Sequence, residues 1–90
     1  MTLLETTIVE NARHELQNLR RALLMPEGSD RIAALSSSFW MLSGLTMLGH
    51  IANSGMSEKA AVELQAIDRE AGQATAAASL VGMIKRDIPN

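Results

Sequence analysis

The sequence predicts an all-α protein: a three-helix antiparallel bundle or helical hairpin, completed by homo-oligomerisation. Three observations predict it. Helix formers such as Ala, Leu, Met, Glu and Gln dominate, while aromatic residues make up 2% of the 90 and Tyr is absent. Apolar residues recur at steps of three and four in three segments, separated by short breaks at Pro26–Ser29 and Asn53–Gly55. Finally, one uncharged stretch, Ala33–Met56, is apolar on nearly every helical face, more than two neighbouring helices can cover.

The chain reads as one helical domain over residues 1–90. A core this small is marginal, and a second copy or a partner is a natural source of further stability. The net charge of −2, with acids and bases interspersed, gives no basis for binding extended nucleic acid. The absence of Cys removes disulfides, thiolate catalysis and cysteine-ligated metals, and fits a cytoplasmic protein. The N-terminus, MTLLETTIVENARHE, mixes acids with its apolar residues and does not resemble a signal peptide.

The first helix is expected over about 3–25. Val9, Ala12, Leu16, Leu19 and Leu23 fall on one stripe. Glu5, Glu10 and Glu15 precede Arg20 and Arg21, a polarity that suits the helix dipole, and Glu10 lies within reach of Arg13 and His14. Pro26 and Gly28 break this helix, and Ser29 or Asp30 is expected to cap the next. A loop this short folds the second helix back antiparallel.

The second helix is expected over 30–53, with a seam of Ile32, Leu35, Phe39, Leu42, Thr46 and Gly49. Gly55 is expected as its left-handed C-cap. Phe39, Trp40, Met41, Met47, Leu48 and Ile51 form the predicted interface, since much of this set lies off the seam. The segment is long enough to span a membrane, but its serines, Asn53 and His50, and flanks without basic or aromatic clusters, argue against a span. The third helix, 57–87, carries a seam of mostly small residues: Ala60, Leu64, Ile67, Ala71, Ala74, Ala78 and Val81. That seam lets the large side chains of the second helix approach closely, so helices two and three should pair with helix one alongside. Lys85 and Arg86 suit its C-terminal dipole, and Pro89 ends it.

Catalytic patterns are absent. His14 and His50 fall on different helices, and Ser36, Ser37 and Ser38 read as small polar residues on a packed helix rather than as nucleophiles beside His50. Asp68 and Glu70 do not share a helical face, and no phosphate loop or zinc motif occurs. The expectation is therefore a non-enzyme with no metal and no cofactor. One group of residues suits an anion: Arg20, Arg21, Gly28, Ser29 and Arg31 gather guanidinium and loop N–H groups around one turn. The plainer reading of the same residues is a solvated loop with its caps and dipole partners.

Pro26-Glu27, followed by Ala34-Leu35-Ser36 entering a helix, resembles the start of the helical hairpin in phage anti-CBASS and anti-Thoeris sponge proteins. Gly44-Leu45 and Leu48–Ala52 are similar to the small and apolar pattern later in that helix. The likeness covers about a third of the chain. Phe39-Trp40 replaces the family's acidic pair, and no Tyr is present to stack on a base. The resemblance implies an oligomeric protein of the bacterial host cytoplasm that sequesters a cyclic nucleotide. Arg20, Arg21, Ser29 and Arg31 would hold phosphates, and His14 or Trp40 would stack on a base. The alternative is a protein–protein interaction module, either a phage inhibitor of a host or defence protein or a secretion-type chaperone, acting through the apolar face of helix two. A purely structural oligomer is the third.

Overall fold

The computed structural model describes residues 1–51 and 54–87, with side chains up to residue 78. It contains α1 (Leu3–Leu23), α2 (Ser29–Met47) and α3 (Glu58–Asp87), with no strand among the described residues.

A capping box starts α1. The Thr2 hydroxyl accepts from the Glu5 N–H at 3.1 Å, and the Glu5 carboxylate accepts from the Thr2 N–H at 2.9 Å. This reciprocal closure satisfies two otherwise free donors. The other Glu5 oxygen accepts from the N–H of Ser57, whose hydroxyl in turn accepts from Ala60 in the first turn of α3. One carboxylate thus joins the starts of two helices. Further along, Arg13 pairs with Glu63 at 2.9 Å and Arg20 with Glu70 at 3.2 Å, each fifty residues apart in sequence. The constant offset means that α1 and α3 run parallel in register. It also takes Arg13 away from Glu10, the partner expected from helical spacing.

The α1 helix ends two residues earlier than expected, in a tightened turn where Leu24 and Met25 donate to the carbonyls of Arg21 and Ala22. The expected caps Ser29 and Asp30 lie inside α2. Gly28 holds the N-cap position instead, at φ 154° and ψ −178°, without a side-chain cap bond. Only glycine reaches that region without strain, and this lets so short a loop reverse the chain.

The last turn of α2 docks on α3. The helix stops at Met47 instead of continuing to residue 53, and Ala52 and Asn53 lie outside the described residues. Just past this end Gly49 touches α3: a Cβ there would stand 2.8 Å from the Cβ of Leu64 and 3.0 Å from the Ala61 carbonyl oxygen. The Gln65 amide donates to the Gly49 carbonyl at 2.7 Å, which satisfies a group freed at the helix end. Asp68 accepts from the Thr46 hydroxyl at 3.5 Å and pairs with His50 at 3.1 Å. Gly55 has the expected positive φ, 86°, but sits in the connection leading to α3 rather than at the end of α2.

The core combines Val9, Ala12, Leu16 and Leu19 of α1 with Leu42 of α2 and Ala60, Leu64, Ile67 and Ala71 of α3. The α1 stripe and the first half of the α3 seam therefore lie where their periodicity puts them. Leu23, Ala74 and Ala78 are half-buried, and the expectations on Val81, Lys85, Arg86 and Pro89 fall outside the described side chains. The pairing of helices differs from expectation: α1 is central and packs more extensively against α2 than α3 does. Small buried residues, Ala22 on α1 and Ser38 on α2, accompany that close packing. The α1 side of α2 consequently turns inward along Ser38, Leu42 and Thr46. This leaves Leu35 half-buried and Ile32 and Phe39 exposed, so the expected seam holds only in its second half.

By the fifty-residue offset, Leu23 lies level with Gln73, and α3 runs on from there to Asp87. At 1.5 Å per residue that is roughly 20 Å beyond the end of α1. The molecule measures 54 × 20 × 15 Å. No helix among the described residues is long and apolar enough to cross a membrane.

Candidate functional site

The solvent side of α2 is the most unusual surface of the molecule. Ile32, Phe39, Trp40 and Met47 are 66%, 52%, 73% and 54% exposed. At 100° per residue these four fall within one arc of the helix, together with Ser36 and Ser43. Phe39 and Trp40 meet edge to face, with ring centroids 5.8 Å apart. No Asp, Glu, Lys or Arg interrupts the row from Ala33 to Met56. Monomers seldom leave a continuous row of large apolar side chains in water, and such rows mark surfaces that become covered.

The six residues predicted as interface do not all share this face. Phe39, Trp40 and Met47 do. Met41 is exposed but stands two residues, or 200°, round the helix from Phe39. Ile51 is exposed beyond the helix end, and Leu48 packs against the core. Ile32, assigned to the seam from its spacing, belongs to the exposed row. The signal that could have placed it is its lack of a large apolar neighbour at position 36.

The proposed anion group is scattered. The Arg20 guanidinium turns toward Glu70 of α3, while that of Arg21 turns along α1 to the Asn18 side-chain oxygen at 3.4 Å. Arg31 reaches the Leu23 carbonyl at 3.5 Å. Gly28 is exposed in the loop, Ser29 is exposed in the first turn of α2, and His14 is exposed on α1. Adjacent helical residues point 100° apart, which sends Arg20 and Arg21 to different faces. Arg31 lines a cleft of about 420 Å³, with Leu19, Leu23, Leu35, Phe39 and Trp40 among its walls, while Arg20 and Arg21 line two separate clefts of about 270 and 370 Å³. The Arg31 Nε is buried without an acceptor.

Among the described residues Glu5 alone has a marked shift in acidity, from 4.5 to about 2. The Thr2 backbone N–H contributes most to this, followed by the backbone N–H of Ser57; both favour the charged carboxylate. The role is structural: Glu5 is 6% exposed and engaged on both oxygens. The His50–Asp68 pair lies at the docked end of α2, and no serine hydroxyl is bonded to His50 among the described residues. Ser38 faces the core, while Ser36 and Ser37 face solvent. Among the described residues no group of three or more His, Asp or Glu side chains could hold a metal ion.

The chain matches no protein-family model, no curated protein and no solved structure.

Proposed function

We propose that this protein acts by binding another polypeptide, without covalent chemistry, through the solvent face of α2. The observation that supports this reading is the uncharged, exposed row of Ile32, Phe39, Trp40 and Met47. Aromatic and Met side chains are favoured at the centres of protein interfaces, and a row free of charge carries little desolvation cost when covered. Trp40, the only Trp, reports directly on its own burial. Affinity capture from the native cell should retrieve polypeptide partners with the wild-type chain and lose them with Trp40→Asp or Met47→Asp. Trp40 emission should shift to the blue as the partner binds. Capture that is identical for wild type and both variants would overturn the reading.

A second reading, sequestration of a cyclic nucleotide, draws on one observation: Arg31, with its Nε unpaired, and Trp40 line the same cleft. A guanidinium beside an exposed aromatic face suits a phosphate linked to a base. Calorimetry against cyclic di- and trinucleotides tests it. Heat that disappears on Arg31→Gln supports this reading, and no heat across the panel removes it.

A further inference from the structure

The exposed row of α2 is symmetric about its own centre. Ile32 and Met47, Ser36 and Ser43, and Phe39 and Trp40 each average to the same midpoint, between residues 39 and 40. Along the helix the order is large, small, an aromatic pair, small, large. All of these residues are exposed except Ser43, which is half-buried. A two-fold axis through that midpoint and perpendicular to the helix lays a second α2 antiparallel on the first. It sets Ile32 against Met47 of the copy, Ser36 against its Ser43, and each aromatic pair against the other. Residues 36, 39, 40 and 43 also have the i, i+3, i+4, i+7 spacing of a packing hole. Its small members stand at both ends, so bulky side chains from a facing helix can settle there.

Resting on the reading of α2 as an interaction face, we propose that its partner is a second copy of this chain, paired antiparallel through α2. Charge favours this occupant. Arg31 lines the cleft beside Phe39 and Trp40, but the row itself carries no charge; a charged partner would lose hydration along most of its length, whereas a second copy brings apolar to apolar. Antiparallel pairing also sets the N-terminal end of each helix dipole beside the C-terminal end of the other. The size is adequate. At half to three-quarters exposure, four large side chains of ~150–250 Å² offer on the order of 400–500 Å² per protomer. Counted from both sides and with the serines, the interface comes to roughly 1,000 Å², the lower bound for a specific contact and suited to a micromolar dimer. Isologous contacts of this kind are the commonest route to closed oligomers.

Since the chain contains no Cys, single-cysteine variants report the pairing cleanly. Ser36→Cys and Ser43→Cys, mixed and oxidised, should link to each other, whereas either variant alone should not. In this arrangement residues 36 and 36 of the two copies stand roughly 10 Å apart along the axis, beyond disulfide reach. Sedimentation of the wild type at tens to hundreds of micromolar should give twice the 9.7 kDa chain mass. Trp40→Asp, with helicity checked by circular dichroism, should halve that mass, and Met47→Asp should do the same if the first variant fails to fold. Efficient linking of Ser36→Cys to itself would overturn the antiparallel arrangement. A wild type that stays monomeric at these concentrations would overturn self-pairing. If its Trp40 face nevertheless captures another polypeptide, the broader interaction reading survives that failure.

Discussion

Glu5 shows how much one residue settles. It closes the capping box of α1 and accepts from Ser57 at the start of α3, so its charged form is bound into the fold twice. Because its acidity constant falls from 4.5 to about 2 on folding, its contribution is fully present above pH 4.5 and is lost as the pH drops from there through about 2. Thermal unfolding followed from pH 6 to pH 2 should show a midpoint that declines across that window. In Glu5→Gln the midpoint should be lower at pH 6 and the decline shallower. From the sequence Glu5 reads only as a dipole partner near the helix start; its capping box with Thr2 emerges in the structure, and its bond to Ser57 joins residues 52 apart, beyond any local pattern. The arginines show the converse: Arg20, Arg21 and Arg31 are near neighbours along the chain, yet side-chain direction on the helices disperses the first two toward Glu70 and Asn18.

For whole elements, legibility followed periodicity. The α1 stripe and the Ala60–Ala71 seam were readable because each helix has one apolar face and a polar remainder. In α2 the pattern was ambiguous, since apolar residues surround the helix and periodicity alone cannot choose the buried arc. Packing against α1 makes that choice, turning Ser38 inward and Ile32 and Phe39 outward. The end of α2 was illegible for a related reason. Leu48 and Ile51 continue the apolar pattern, while the close approach of Gly49 to Leu64 and Ala61 just past the helix end is a tertiary contact that spacing does not reveal. Gly49→Ala should therefore destabilise the protein by about 1–3 kcal/mol, the usual range for overpacking, although alanine is the better helix former. Urea unfolding monitored by circular dichroism checks it; a neutral or stabilising result would mean that the two helices separate at little cost.

For the molecule as a whole, three helices bury one side of the uncharged segment and leave the other in water. That imbalance was readable as composition, and its location around Trp40 and Met47 was readable as the part of α2 left over by two neighbours. The symmetry of the exposed row became meaningful only once the buried arc was fixed. The parallel alignment of α1 and α3 has a consequence for the order of assembly. The α1–α2 hairpin closes through five residues, whereas every contact between α1 and α3 spans about fifty and needs the intervening chain to be gathered first. Docking of α3 is thus expected to follow the rate-limiting step, with the Glu5–Ser57 bond absent from the transition state. In stopped-flow measurements at neutral pH, Ser57→Gly, which removes the hydroxyl that caps Ala60, should raise the unfolding rate and leave the folding rate nearly unchanged. The resting molecule should accordingly open from α3 first, leaving the α1–α2 hairpin as its most persistent part.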